Sequence, residues 1–366
     1  MIHPKYININ RILGAMTFLI SFIVYFDTMA PSVSYWDCGE FIAVSYTLGV
    51  PHPPGSPLFL LLGRIASMLP ISEDIAFRVN LLSPLASAFS VLFLYFIIVQ
   101  LVNHWRGKIE TNTDALIAFG AGIVGSLTFA FTDSHWFNAV EAEVYAFSTF
   151  FTAIVVWLAL LWSEKADEQG NERYILIISY MIGLATGLHL LNLLTIPFVA
   201  LLIYFRKFKF EWTSFGVLIV LTGLVFFIIH NVIIKGMPKI ADAIGVSLTG
   251  LLIIAIFSGM VWAVLNHKKL TSIILTSMVL ILIGYSTYAL IFIRSNQDPG
   301  IDENDPETVE AFISYLEREQ YGDVGMFPRR FKGIKPMHEV VGYQEGPGSQ
   351  FSASQESDYR SHQSNK

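Results

Sequence analysis

The chain is poor in charge and almost without cysteine. Only 14% of its 366 residues are Asp, Glu, Lys or Arg, against about 25% in an ordinary soluble domain. The single cysteine, Cys38, excludes an internal disulfide and any metal cage built on thiolates. There is no basic stripe and no zinc-knuckle spacing, so nothing points to nucleic acid as a partner. A Walker lysine loop, a GxGxxG opening a helix and a GxSxG elbow are also missing, which argues against a nucleotide-driven pump. The formal net charge of −6 comes largely from the C-terminal region and says little about partners.

What the chain does have is apolar sequence: 54% of residues are hydrophobic. They arrive in blocks near the ~20 residues needed to cross hydrocarbon. Only helices or closed barrels satisfy the backbone in lipid. Runs such as VLFLYFIIV do not alternate as barrel strands do. The expected fold is therefore an all-α polytopic membrane protein. Nine spans are expected, at about 12–29, 79–102, 115–131, 144–162, 174–188, 190–204, 213–234, 246–265 and 272–293. A tenth stretch, 58–69, is short, carries Arg64 in its middle and is bracketed by Pro57 and Pro70.

Loop charge decides how 58–69 is counted. If it does not cross and the N-terminus is cytoplasmic, the inner loops hold eleven cations: Lys5, Arg11, Arg106, Lys108, Lys165, Arg173, Arg206, Lys207, Lys209, Lys268 and Lys269. The outer loops then hold four: Arg64, Arg78, Lys235 and Lys239. If it crosses, the bias reverses after the first helix. The stretch therefore reads as an interfacial or re-entrant helix. Both acid-bearing loops, 30–78 and 132–143, then share the outer side.

Residues 1–293 form the expected membrane domain, and 294–366 a polar external tail, partly disordered. Within the tail, 307–321 reads as one amphipathic helix with Val309, Phe312, Ile313 and Leu316 on one face. Lys5 and Arg11 before an apolar run resemble a secretory signal, but the run is longer than a signal core and eight more spans follow, so an uncleaved first helix is expected.

The segment YWDCGEFIAVSYTLGVPHPPGSPL, residues 35–58, carries the strongest chemical signal. Asp37 and Glu40, at i and i+3, share a face on a helix. Two close carboxylates shift each other's pKa, so one can act as base or metal ligand while the other orients it. The plain alternative is a helix first turn, which favours acids. Tyr35 and Trp36 fit an interfacial aromatic belt. PHPPGSP is a rigid turn that holds His52 as proton shuttle, metal ligand or phosphate partner, or serves only as a connection. In HWFNAVEAE, Glu141 and Glu143 lie two apart, so only one points into a cavity. His135 belongs to the same loop. His189 and Asn192 in GLHLLN are explained by inter-helix hydrogen bonding or by the site. Arg64, and with it Arg78, is a candidate phosphate clamp.

An acid pair in the first outer loop, a proline-rich entry to an interfacial helix and a second acid-bearing loop resemble the GT-C class of membrane glycosyltransferases. More closely, WDCGEFIAVSYTLGVPHPPGSPLFLLLGR, HWFNAVEAEVYAFS and TGLHLLNLL resemble the bacterial relatives of the transmembrane protein O-mannosyltransferase family. The resemblance covers about residues 10–325. It implies transfer of a sugar, mannose or another hexose, from a polyprenyl-phosphate carrier to a protein hydroxyl at the outer face of a bacterial inner membrane. It implies Asp37 as base or metal-binding carboxylate, with Glu40 and Glu143 or Glu141 completing the catalytic set. Substrate contacts are expected from Trp36, His52, Arg64, His135, Glu141, His189 and Asn192. A divalent metal is an open alternative for the phosphate's countercharge. Members of the family are longer, with a large C-terminal soluble part, so the chain reads as an N-terminal piece or one of two split pieces. The rival expectation is a transporter or lipid flippase with acids lining a path, which calls for mid-span charges and two corresponding halves.

Overall fold

A computed structural model describes residues 2–322. The expected polar tail beyond them lies outside the described residues. Helices carry almost the whole fold, and the only strand-like pairings are the isolated bridges Ile2–Ile109 and Val50–Asp302 among the described residues.

Helix α1 (Pro4–Thr28) is followed by three short helices, α2 (Cys38–Thr47), α3 (Pro57–Met68) and α4 (Ile75–Asn80). α5 (Leu82–Arg106) and α6 (Asn112–Ala130) form the next antiparallel pair, and the short α7 (Asp133–Ala139) leads into α8 (Val144–Lys165). α9 (Glu172–Thr186) and α10 (Thr195–Lys207) are separated by a 3-10 turn, Leu190–Leu194. α11 (Trp212–Phe227) continues into a π-helical turn, Ile228–Ile234, before the short α12 (Gly236–Ile244). α13 (Val246–Leu265), α14 (Lys269–Tyr285) and its extension α15 (Ala289–Ser295) complete the spans, and α16 (Val309–Glu317) follows.

Eight helical runs are long and apolar enough to cross a membrane: Pro4–Thr28, Ile75–Arg106, Asn112–Ala130, Val144–Lys165, Leu190–Lys207, Trp212–Ile234, Val246–Leu265 and Lys269–Ser295. Of the nine spans expected, only 174–188 falls short. It is α9, with 15 residues, or ~22 Å at 1.5 Å per residue, against ~30 Å of hydrocarbon. α9 still joins the two ends of the bundle. Its first residue, Glu172, pairs with Lys269 at 3.6 Å, and Thr186 at its far end lines a polar cavity. α3 is a short apolar helix of 12 residues, in keeping with a segment that does not cross.

The two ends differ in chemistry. At one, Arg206 and Lys207 at the end of α10 pair with Asp167 beyond α8, and the start of α1 bonds to the loop after α5 through His3 N–H and Ile109 O, 3.1 Å. A capping box between Thr111 and Asp114 starts α6 there. At the other end lie α2, α3, α7, the start of α8, the α9–α10 break, α12 and α16. The expected amphipathic helix is shorter than 307–321. Thr308 caps it through Ala311 N–H, and Arg318 in the left-handed region ends it. Phe312, Tyr315 and Leu316 are its buried face.

α9 and α14 make the closest approach. A Cβ on Gly284 would lie 2.3 Å from the Leu184 nitrogen, and one on Gly183 2.6 Å from the Ile281 oxygen. Backbone cannot yield as a side-chain tip does, so both positions demand glycine, as in small-residue packing of membrane helices. By contrast, Gly223 on α11 has open space around it. Gly284→Ala should therefore destabilise the fold by about 1–3 kcal/mol or more. Gly223→Ala should be neutral or slightly stabilising, and thermal unfolding of the two purified variants in one detergent would show the contrast.

Candidate active site at the acid-bearing end

The stretch from α1 to α3 is built around His52. The turn Pro51–Pro57 folds back over α2, and Glu40 on its first turn receives His52 twice. The His52 backbone N–H donates to Glu40 Oε1 at 2.6 Å, and the ring Nδ1 meets Glu40 Oε2 at 2.8 Å. The other ring nitrogen, Nε2, faces Asp37 Oδ2 at 3.9 Å. The hydrogen bond to Glu40 raises the His52 pKa above its ordinary value, against the opposing effect of burial. Burial works to raise Glu40, but the two bonds and the charge of His52 outweigh it and hold its carboxyl below the usual range. Asp37 occupies the N-cap position of α2 but makes no capping hydrogen bond. Its carboxylate lines the cavity, while its N-cap place and Glu40 in the first turn also fit a helix start.

Asp37 and His52 line a cavity of about 320 Å³, and the second acid-bearing loop supplies Glu143 to the same space. Glu143 caps α8, with Oε2 accepting from the Val144 N–H at 3.3 Å, and is 6% exposed. Burial first, then the nearby Asp37 charge, pushes its pKa up to about 7. Glu141 is buried as well but turns away from the cavity lining, and its Oε2 accepts from Ser34 Oγ at 2.6 Å. Of the two glutamates only Glu143 lines the cavity; both precede α8, so the helical spacing does not decide this. The Cys38 thiol lies between these acids with its pKa pushed up, chiefly by burial, which keeps it protonated and unreactive.

Other expected substrate contacts are placed differently. His189 lines the cavity, caps the 3-10 turn through Nδ1 and packs on Tyr145 at 5.3 Å between ring centroids. Burial, then the Arg318 charge, lowers its pKa. Asn192 does not line the cavity. It ties α8 to the α9–α10 break through Thr152 Oγ1 and Ser148 Oγ, which is the packing role. His135 is buried against Phe129 and Tyr25, and that apolar setting lowers its pKa to about 4. Trp36 is 84% exposed beside Asp37 with a φ of 58° and is not part of the lining. Arg64 is removed from the site because its guanidinium donates to Tyr46 O and lies over the Tyr46 ring. Arg78 is likewise spent on Ser72 O and Ser67 O.

Cavity groups that the sequence does not mark as site residues include Tyr145, His230, Lys235, Tyr288, Glu317 and Arg318. They lie on helices and turns far apart in the chain, and no local motif marks them. Glu303 was missed too. Val50 N–H donates to Ile301 O at 2.8 Å and Glu303 N–H to Val50 O at 3.1 Å. That bridge lays Glu303 near the triad, and burial followed by the Glu40 charge raises its pKa.

Asp37, Glu40 and His52 each offer a ligand atom, all within 4.8 Å of one another. Both Glu40 oxygens already accept from His52. A divalent cation would therefore take Asp37 and His52 Nε2 first, and their 3.9 Å separation would have to close to about 3.4 Å for two bonds of about 2.0–2.2 Å at a tetrahedral angle. Further ligands would have to come from water or substrate.

Similarity to known proteins covers part of the chain. Residues 37–212 match a family described as the protein O-mannosyl-transferase TMEM260 N-terminal domain. The chain is 29% identical over 227 residues to protein O-mannosyl-transferase tmem260 of Dictyostelium discoideum, covering 58% of this chain and 25% of that protein. It is 28% identical over 162 residues to TMEM260 of Mus musculus, covering 44% and 21%. The matched region thus spans about a quarter or less of these relatives. No solved structure matches the chain. The chain is a distant, partial homologue of these transferases, and the matched stretch holds Asp37, Glu40, His52, Glu143 and His189.

Glu143 should keep its proton well below pH 7 and lose it through a midpoint of about 7. Infrared difference spectroscopy would show a protonated-carboxyl band fading with that midpoint and missing in Glu143→Gln. In Asp37→Asn the midpoint should fall, because a charge that raises it is gone, yet stay above that of a solvated glutamate because burial remains. A midpoint in the ordinary carboxylate range in the unaltered protein would contradict this environment.

Proposed function

We propose that the chain forms the membrane part of a glycosyltransferase that moves a hexose, with mannose the first choice, from a polyprenyl-phosphate carrier to a protein hydroxyl. The supporting observation is that Asp37 and Glu143, from loops on opposite sides of two intervening spans, line one cavity with His52. Homology to named O-mannosyl-transferases supports the reaction class.

In this reading the acceptor hydroxyl oxygen attacks the anomeric carbon of the sugar. The bond from that carbon to the phosphate oxygen breaks, and the lipid phosphate leaves with the electron pair. The hydroxyl proton passes to the Asp37 carboxylate. Glu40 fixes the His52 ring, and the ring's Nε2 faces Asp37 at 3.9 Å, close enough for charge attraction. Glu143, poised near neutrality, limits the negative charge facing an anionic donor. Excess Lys and Arg at the opposite end supports an outer position for the acid-bearing end, with the N-terminus cytoplasmic. By its resemblance that membrane is a bacterial inner one. A transporter or flippase gains less support, because the cavity acids gather at one end of the bundle rather than at mid-span.

Transfer should be tested in proteoliposomes holding a polyprenyl-phosphate hexose and serine- and threonine-containing acceptor peptides. Asp37→Asn should lower transfer by roughly 10²–10⁴-fold with expression unchanged, whereas Arg64→Ala should change it little. Undiminished transfer by Asp37→Asn would remove that residue from the mechanism. Proton-coupled uptake without any glycopeptide would favour the transporter instead.

A further inference from the structure

The cavity has a second wall that the acid loops do not supply. His230 comes from the π-helical turn at the end of α11, and π-helical turns often sit at functional sites. Lys235 follows it directly, and Arg318 ends α16. Lys235 is half-buried and makes no ion pair among the described residues. Its neighbour Lys239 is engaged with Glu317 at 2.6 Å. A partly desolvated lysine facing a cavity is stabilised by an anion that enters it.

Tyr288 lines this cavity and also a separate groove of about 700 Å³. The groove is almost wholly apolar. Met237 and Pro238 of α12, Phe257 of α13, Leu282 of α14 and Phe312 of α16 are among its walls. The same two elements border both spaces. Lys235 opens into the cavity just before α12 enters the groove. On α16, Phe312 faces the groove, and Leu316, one turn on, faces the cavity. An apolar channel thus ends beside a wall that carries Lys235, Arg318 and a Glu317 already paired with Lys239, a net positive end that complements a long hydrocarbon chain ending in phosphate.

We propose that groove and wall form one binding site for a polyprenyl monophosphate, with the chain along α12, α14 and α16 and the phosphate at Lys235. This rests on the transferase reading, in which that molecule is the donor's lipid half and the leaving group. It assigns the phosphate to Lys235, with His230 and Arg318 beside it, in place of Arg64 and Arg78.

Binding can be read without transfer, which separates the two inferences. The full chain, in phosphatidylcholine nanodiscs, would be titrated with a long-chain polyprenyl monophosphate and analysed by native mass spectrometry. Lys235→Ala should weaken binding about tenfold or more, and Lys235→Arg should largely restore it. Leu282→Trp, which fills the groove, should also weaken it. Val220→Trp, on the exposed face of α11, should not. Polyprenol lacking phosphate should bind more weakly than the phosphate, and phosphatidic acid should compete poorly. Wild-type affinity in both Lys235→Ala and Leu282→Trp, or equal competition by phosphatidic acid, would overturn the site. Binding with these dependences but without sugar transfer would uphold the site and count against the transferase reading alone.

Discussion

The pair of hydrogen bonds between His52 and Glu40 is the constraint on which the acid-bearing end depends. A proline-rich turn has few backbone donors of its own, because each proline removes one. Here the His52 N–H and ring both close onto one carboxylate, so the turn is fixed in position and the imidazole in rotation. Neighbouring residues complete the hold. Tyr315 donates to Pro51 O at 2.6 Å, and Val50 exchanges backbone bonds with the 301–303 strand. The turn is therefore gripped from α2 on one side and from the segment after the last span on the other. Loss of the Glu40 contact would free the ring that faces Asp37 and lower the charge on His52 together.

That local clamp needs a bundle that brings the loops together. The α9–α14 contact does this at a helix of only 15 residues. Gly183 and Gly284 let two backbones touch, which draws the α9–α10 break, with His189, toward the start of α8, with Glu143. A larger residue at either glycine would push these helices apart and widen the cavity between its histidine and its glutamate. Packing in the apolar interior and geometry at the polar end are thus one problem, because the same helices carry both.

Much of the architecture was legible in the sequence because hydropathy reports directly on lipid contact. The long runs, the short 58–69 helix and the gathering of both acid loops at one end all follow from apolar length and loop charge. The segments WDCGEF and PHPPG, on which the resemblance rests, bring Asp37, Glu40 and His52 together. The errors have a different physical origin. Arg64 was assigned to phosphate on charge alone, but a guanidinium takes the nearest acceptor, and Tyr46 offers both a carbonyl and a ring face. His135 was assigned by proximity in the chain to Glu141, yet the helical turn of α7 points it at Phe129. Lys235 and His230 were invisible as site residues because tertiary packing of a distant span, not any local pattern, brings them to the cavity. Glu303 was read as part of a polar tail, and only the pairing with Val50 reveals its place.

The distribution of charge within the cavity makes a final physical point. Asp37 and Glu143 lie on one side, with Glu40 and Glu303 behind, whereas Lys235 and Arg318 come from the other. Had the lysine paired with Glu143, each charge would have cancelled the other and neither would act on a substrate. Kept apart, the two poles suit the two demands of the proposed transfer, because negative charge builds on a departing phosphate while a proton must be taken from the acceptor. Burial, helped by the Asp37 charge, raises Glu143 toward neutrality, which lessens the repulsion an anionic donor would meet on entry. A site that separates its charges pays in stability, through a buried carboxyl with no cation against it, and the capping bond to Val144 and the Glu40–His52 clamp are the compensating contacts that hold the arrangement in place.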